Sequence, residues 1–241
     1  MLGGYSAALA GSILWRICAV GDGITTAHPA HAFPSWKGRA LKIALVRHGP
    51  TTWNTQGRIQ GQRVLPLSDA GRAKMASLRP PPGFETAVSY ASPLSRARET
   101  ASLLGLRDPI VDARLAEHHW GRWEGLTREE ILARDGIDAF ERAGRGLEFT
   151  PPDGEPTRDL AARVESFLNE VGRSSRDAIA VTHRGVLRSA YAIATGWQML
   201  TPMPDGLDLS KALVLSVDSN GHSKVDTLNV AFAPKRTDGR P

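Results

Sequence analysis

Two short apolar segments, each leading into a histidine, most constrain the fold of this chain. Leu41–Val46 runs directly into Arg47 and His48, and Ala178–Val181 runs through one threonine into His183. Apolar runs of this length are typical of strands buried on both faces, as in a parallel sheet covered by helices. Ligands of such sheets collect at the carboxyl ends of the strands, so we expect both histidines at one edge of one sheet.

Three helices are predicted from apolar spacing and capping residues. One is expected over Ser68–Leu78, with its first residue as the cap. Ser92 is expected to be the N-cap of another, with Pro93 in its first helical position. Apolar residues in Leu160–Val171 recur at helical spacing, and Gly172 is expected to end that helix.

A hairpin is predicted near the C-terminus, because Ala212–Val217 and Val225–Val230 flank an Asn220-Gly221 pair. Elsewhere helix and strand patterns alternate, which is typical of α/β proteins. The predicted fold is a three-layer αβα sandwich with a mostly parallel central sheet and an antiparallel edge strand. Residues 41–235 are predicted to form this single catalytic domain.

Residues 1–40 are predicted to be a poorly ordered extension. The first 20 residues are moderately apolar, but Arg16 interrupts them, so they do not read as a membrane span. They also lack the basic start of a secretory signal. A true extension, a weak signal or anchor, and a start site placed too far upstream all remain open.

Size and charge restrict the partners that this chain can have. Its 241 residues suffice for one large core, and its net charge of +5 suits a small acidic substrate. Nucleic acid is not expected, because no lysine-rich run or aromatic-studded basic stretch occurs. One cysteine, Cys18, excludes an intrachain disulfide, and we expect a cytoplasmic protein that does not bind membranes. The sequence does not reveal the oligomeric state.

Arginine accompanies histidine at the predicted strand ends. Arg47 precedes His48, and Arg96 falls in the first turn of a helix after a third strand candidate, where backbone amides favour an anion. Guanidinium groups make paired hydrogen bonds to phosphate, and imidazole is a competent nucleophile. The two cations are expected to lower the pKa of His48. Each residue alone could be a structural cap, but together they indicate chemistry on phosphate.

No metal ion and no cofactor are predicted. His118 and His119 are adjacent, but neighbouring residues of an extended segment point to opposite faces, and no cysteine or close aspartate completes a ligand set. Several other arginines are interpreted as solvent-exposed surface residues rather than ligands. These are Arg98, Arg122, Arg142, Arg145 and Arg184.

Four separated motifs resemble those of the histidine phosphatase superfamily, in the same order. They are Arg47-His48-Gly49 with Asn54 downstream, Ser92-Pro-Leu-Ser-Arg96-Ala, Glu117 ahead of Gly121-Arg-Trp-Glu-Gly125, and Thr182-His183-Arg-Gly185. The match runs from about Leu41 to the region of Val230, and it is most similar to the phosphoglycerate-mutase-like branch. The resemblance therefore implies a phosphoglycerate mutase-like fold.

The resemblance also implies a role for each motif residue. His48 would be the nucleophile that becomes phosphorylated, and Glu117 would be the proton donor and acceptor. The implied phosphate clamp consists of Arg47, Arg96 and His183, with help from Asn54. Arg58 is similar to a residue that lines the mouth of the pocket in this family. The chain departs from its relatives at Pro50, where many have Glu or Gln, and at His118-His119-Trp120, where the mutases have Arg-His-Tyr.

The implied activity is metal-independent hydrolysis of small phosphorylated metabolites through a phosphohistidine. A phosphoglycerate mutase would use the same residues, but mutases carry a longer insertion after the Gly125-Leu126 region. A phosphohistidine-directed protein phosphatase and a non-catalytic phosphate-binding module are further alternatives. Leu126–Arg158 is predicted to cover the pocket and, with Trp197–Leu207, to set substrate preference. The substrate itself stays open.

Overall fold

A computed structural model describes residues 40–136, 146–201 and 206–235, and every structural statement below concerns these residues. The predicted extension lies outside them except for Ala40. The segment predicted to cover the pocket and the segment over Trp197–Leu207 lie partly outside them.

Eight strands are present in the described residues. They are β1 (Leu41–Arg47), β2 (Leu78–Arg79), β3 (Val88–Ala91), β4 (Ile110–Val111), β5 (Ala178–Thr182), β6 (Ala212–Val217), β7 (Ser223–Val230) and β8 (Ala233–Pro234). Six of them form the central sheet in the order β4-β3-β5-β1-β6-β7, while β2 pairs with β8. The pairs from β4 to β1 are parallel, and β6 is antiparallel to both of its neighbours. The predicted mostly parallel sheet with an antiparallel edge is confirmed.

Helices cover both faces of this sheet. They are α1 (Thr52–Thr55), α2 (Asp69–Ala76), α3 (Ser95–Leu103), α4 (Arg128–Asp135), α5 (Thr157–Gly172) and α6 (Arg184–Thr195). Alternate residues of β1 point to opposite faces, as the pleat of a strand requires. Ile43 and Leu45 pack with α5 and α6, whereas Ala44 and Val46 pack with α2 and α3. The three predicted layers follow from this alternation.

N-caps were predicted for both α2 and α3, and only the one of α2 is confirmed. Ser68 caps α2 by accepting a hydrogen bond from the backbone N–H of Gly71 at 3.0 Å. The N-cap of α3 is Leu94, so the predicted capping role of Ser92 is wrong. The reason is that the Ser92 hydroxyl lies 2.7 Å from Nε2 of His183, a partner that is 91 residues away.

Gly172 ends α5, as predicted. It is the last helical residue, and Arg173 after it keeps a right-handed backbone. A Cβ atom at position 172 would overlap the carbonyl oxygen of Asp218, so glycine is required by close packing. The predicted hairpin of β6 and β7 is confirmed, with Gly221 in the turn at φ 87°. No helix of the described ranges is long and apolar enough to cross a bilayer.

Candidate active site

Three neighbouring parallel strands bring polar side chains to one edge of the sheet. His48 follows β1, His183 follows β5 and Ser92 follows β3. The backbone N–H of His48 donates to the carbonyl of Thr182 at 2.8 Å, and that of Ser92 donates to Val181 at 2.9 Å. The sheet register therefore extends past the strand ends and places the three side chains next to one another.

The two imidazoles predicted at this edge are buried and close together. Their ring centroids are 5.1 Å apart, with the planes at 52°. Nδ1 of His48 lies 2.7 Å from the carbonyl oxygen of Gly49, which can only accept a hydrogen bond, so Nδ1 carries the proton. In the neutral ring the lone pair is then on Nε2, which is the nucleophilic atom.

Burial and neighbouring cations keep both imidazoles uncharged. The pKa of His48 is lowered to about 3, mainly by burial and then by Arg96 and Arg47. The direction is the one predicted from the two arginines, but desolvation is the larger cause. The pKa of His183 lies well below its usual range, again mainly because of burial and then because of His48 and Arg96.

Arg47 and Arg96 are held close to these rings with donor groups to spare. Arg96 is fully buried, and its guanidinium donates to the carbonyls of Gly61 at 2.6 Å and Arg63 at 2.9 Å. Nε of Arg47, Nε of Arg96 and Nδ1 of His183 are buried without a hydrogen-bond partner in the described part of the chain. Buried polar groups without partners are costly, so this cluster is suited to an incoming anion with several acceptor oxygens.

Glu117 is buried beside the start of α6. Its Oε1 accepts hydrogen bonds from the backbone N–H groups of His118 at 2.8 Å and Gly185 at 2.9 Å. Gly185 is the second residue of α6, whose N-cap is His183. Oε2 takes part in no hydrogen bond within the described residues, and this carboxyl group forms part of a cavity wall. The carboxyl group is thus oriented through one oxygen while the other is available.

The backbone of Glu117 is supported by a residue that the sequence did not single out. Arg163 on α5 donates to the carbonyls of Ala116 at 2.7 Å and Glu117 at 3.2 Å, and forms an ion pair with Glu155 at 2.7 Å. The sequence did contain a signal for this role, because Arg163 lies three residues after Leu160 on the core-facing side of a predicted helix. A charged residue at such a position needs partners.

Of the two remaining predicted binding residues, Asn54 lines a cavity with His48, whereas Arg58 does not. Oδ1 of Asn54 accepts from the backbone N–H of Thr51 at 2.9 Å in a capping box, and Asn54 lines a cavity of about 140 Å³ with Arg47 and His48. Arg58 donates to the carbonyl of Gly125 at 2.6 Å and forms an ion pair with Glu130 at 2.9 Å.

Arg58 lines neither the cavity of about 140 Å³ nor a larger cavity beside Glu117, although its neighbours Gly57 and Ile59 line the larger one. Contact of Arg58 with substrate stays a prediction.

A larger cavity of about 360 Å³ lies on the side of Glu117. Its wall includes Arg128, Gly146 and Thr157 from the segment predicted to cover the pocket, together with Met199. Arg184, which was interpreted as a surface residue, also lines this cavity, and so does Arg188. Neither arginine was predicted to line a pocket, although their spacing of four residues places them on one side of α6.

The two adjacent histidines do point to different environments. His118 is buried, with Nε2 2.6 Å from the carbonyl oxygen of Glu155, and burial lowers its pKa. The side chain of His119 is 44% exposed. Within the described ranges, no group of three or more His, Cys, Asp or Glu side chains is placed to hold a metal ion.

Residues 43–230 match the protein family described as the histidine phosphatase superfamily (branch 1). The chain belongs to the histidine phosphatase superfamily. The matched range contains all of the site residues described above, from Arg47 to Met199.

Known relatives include both phosphatases and mutases. A metal-independent phosphoserine phosphatase of Arabidopsis thaliana is 34% identical over 165 residues, which are 64% of this chain and 69% of that protein. A 2,3-bisphosphoglycerate-dependent phosphoglycerate mutase 2 of Gloeobacter violaceus is 34% identical over 139 residues, which are 53% of this chain and 62% of that protein.

A solved structure of a mycobacterial glucosyl-3-phosphoglycerate phosphatase complexed with VO3 has the same fold. It superposes with a TM-score of 0.65 and 30% identity, covering 80% of this chain and 100% of that one. The phosphoglycerate mutase-like fold expected of this superfamily member is therefore confirmed.

Proposed function

We propose that this chain is a metal-independent phosphomonoester hydrolase that acts on small phosphorylated metabolites through a phosphohistidine on His48. The observation that carries the proposal is the pair of neutral imidazoles 5.1 Å apart beside Arg47 and Arg96. Relatives that are named as phosphatases support the reaction class. Residues 41–235 form the catalytic domain in this proposal, and the location is cytoplasmic.

In the first step the phosphoryl group moves from substrate to enzyme. Arg47 and Arg96 hold the phosphate oxygens while Nε2 of His48 attacks phosphorus. The P–N bond forms as the P–O bond to the leaving group breaks, and protonated Glu117 gives its proton to the departing oxygen. Asn54 and His183 complete the set of groups around the phosphate.

In the second step the phosphohistidine is hydrolysed. A water molecule attacks phosphorus, and Glu117, now a carboxylate, takes a proton from that water. The P–N bond breaks and its electron pair returns to Nε2 of His48. The products are an alcohol and inorganic phosphate, and both His48 and Glu117 are restored.

The two guanidinium groups are enough to balance the charge of the substrate during these two steps. A phosphomonoester carries about two negative charges near neutral pH, which two guanidiniums can meet with paired hydrogen bonds. Because the charges are fixed in a buried site, they need not reorganise as the reaction proceeds. Loss of one such donor typically costs about a hundredfold or more in rate.

A phosphoglycerate mutase is the second candidate, favoured by the relative of that name with 34% identity. A mutase has to keep the phosphohistidine away from water until a second substrate hydroxyl arrives. The chain has only a short segment between Gly125 and α5 in which mutases carry a longer insertion. We therefore rank hydrolysis first.

The test is hydrolysis of p-nitrophenyl phosphate in excess chelator, with quench-flow trapping of an acid-labile phosphoprotein. We expect turnover and labelling in the wild type, neither in His48→Ala, and both in the control His222→Ala, which changes a histidine on the β6–β7 turn. Loss of activity on chelation would contradict metal independence. Faster interconversion than hydrolysis of 3-phosphoglycerate, supplied with 2,3-bisphosphoglycerate, would replace hydrolase by mutase.

A further inference from the structure

Two arginines on α6 face the larger cavity but have no role in the proposed phosphoryl transfer. Arg184 and Arg188 are separated by four residues, so they lie one helical turn apart on the same side of α6. Both line the cavity of about 360 Å³ that Glu117 also lines. Any group that extends from the phosphate past Glu117 enters a space with these two cations in its wall.

Among the described residues that line this cavity, basic side chains outnumber acidic ones. Arg184 and Arg188 both line it, and Glu117 is the one acidic residue among the described residues of its lining. In the described part of the chain, neither Arg184 nor Arg188 forms an ion pair. Like charges this close repel each other, and an anion between them would offset that repulsion.

The charge of Arg184 acts on the pKa values of two other arginines. The pKa of Arg188 is lowered by burial and then by the charge of Arg184. The pKa of Arg47 in the phosphate site is lowered mainly by burial; the charge of Glu117 raises it, and the charge of Arg184 lowers it. Arg184 thus lies within electrostatic range of both sites.

Two further observations point to a bound polar group. Ser189 lines the same cavity, is fully buried, and its hydroxyl has no hydrogen-bond partner among the described residues. The guanidinium of Arg188 lies over the ring of Trp197, 5.4 Å from its centroid, which restrains the side chain before any ligand binds. Restrained donors lose less entropy on binding than mobile ones.

We propose that Arg184 and Arg188 bind a second anionic group of the substrate, so that this enzyme prefers phosphomonoesters carrying a second negative charge. The inference rests on the proposed function, since it assumes that the phosphoryl group is held by Arg47 and Arg96. The second anion is a carboxylate or a phosphate, which present the same oxygen acceptors to a guanidinium fork. Ile59, Leu160 and Met199 supply apolar wall for the carbon skeleton between the two charges.

The experiment compares matched substrates that differ only in the second group. For a carboxylate, the pair is 3-phosphoglycerate and glycerol 3-phosphate. For a phosphate, the pair is propane-1,3-diol bisphosphate and propane-1,3-diol monophosphate. We expect kcat/KM to be at least about tenfold higher for the charged member of one or both pairs, because a charge-assisted pair is a strong hydrogen bond. The pair with the larger ratio identifies the source of the anion.

The variants Arg184→Gln and Arg188→Gln test which residues carry the preference. Each variant is expected to lower the ratio of kcat/KM between the charged and the uncharged member of a pair towards one. The main cause should be a higher KM for the charged substrate. Arg184 is exposed, so Arg184→Gln keeps the test valid if Arg188→Gln does not fold. The control is Arg173→Gln, which removes an exposed positive charge at the C-cap of α5 and should leave the ratio unchanged.

The outcomes separate this inference from the proposed function. Hydrolysis of p-nitrophenyl phosphate with equal kcat/KM within both pairs overturns the second anion site and leaves the hydrolase intact. A high ratio that neither variant lowers overturns the assignment to Arg184 and Arg188. No hydrolysis and no phosphoprotein with any substrate would instead overturn the proposed function on which the inference rests.

Discussion

Oε1 of Glu117 accepts a hydrogen bond of 2.9 Å from the backbone N–H of Gly185, two residues after His183. The proposed proton donor is therefore attached to the helix that begins at the second histidine of the phosphate site. Backbone amides at the start of a helix carry partial positive charge, and they orient a carboxylate without a side-chain partner.

Glu117→Gln should separate substrates by their leaving groups. The amide cannot give a proton, so hydrolysis of an alkyl phosphate is expected to fall by about a hundredfold or more, as is typical for loss of a general acid. p-Nitrophenyl phosphate has a leaving group that departs without a proton and should lose much less in the phosphorylation step. Single-turnover rates with both substrates measure this step. Equal losses with the two substrates would remove Glu117 as the proton donor.

Gly185→Ala should reproduce part of this pattern without removing the carboxyl group. A Cβ atom at position 185 would overlap Oε1 of Glu117, so the carboxyl group has to move. We expect an alkyl phosphate to lose about tenfold in kcat, since small displacements of a catalytic group are costly, with a smaller loss for p-nitrophenyl phosphate. The substrate comparison within one variant is its own control. A variant with wild-type kcat on both substrates would show that this contact is unimportant.

Arg163→Lys should weaken catalysis through the backbone of Glu117. Lysine keeps the positive charge beside Glu155 but cannot supply the fork that reaches the carbonyls of Ala116 and Glu117. The expected result is a fall of about tenfold in kcat for an alkyl phosphate with little change in KM. Arg173→Lys, at an exposed position, is the matched control. A change in thermal stability alone, with kcat intact, would contradict a positioning role.

The buried His48 should make the protein less stable in acid. Its pKa of about 3 in the folded protein is below the usual 6.5, so between these values only the unfolded chain binds the proton. Stability therefore falls as pH drops, by on the order of 3 kcal/mol from pH 7 to pH 4 for this group. His48→Asn should lose this part of the pH dependence, as urea unfolding at both pH values would reveal. Identical pH dependence in wild type and variant would argue against a neutral, buried His48.

Gly172→Ala should lower stability without changing the chemistry. A methyl group there would overlap the carbonyl of Asp218, and overpacking of this kind costs about 1–3 kcal/mol. Gly172 lies at the end of α5, and it lines neither of the two cavities described above. Urea denaturation should show the loss while kcat per folded molecule stays at the wild-type value. Unchanged stability would mean that α5 and the β6–β7 turn can separate freely.

Local patterns in the sequence determined the layers of the fold and identified residues that are able to take part in chemistry on phosphate. Continuous apolar runs predicted the buried parallel strands, and the period of the apolar residues predicted α5. Arg47, His48, Arg96 and His183 could be named because strand ends and helix starts are where such groups gather. The roles of Asn54 and Glu117 were implied by the resemblance of the motifs to the family. Short-range stereochemistry, which depends only on neighbouring residues, carries this information.

Tertiary structure alone decided how distant segments share the site. That Ser92 contacts His183 rather than capping α3, that Arg163 supports Glu117, and that Arg184 and Arg188 line the larger cavity all depend on contacts between segments far apart in the chain. The need for a residue without a side chain at position 172 is likewise imposed by Asp218, 46 residues later. Ser92 and Arg163 each have a plausible local role, but the packing of the sheet and its helices places them beside distant partners, because polar groups removed from water need hydrogen bonds.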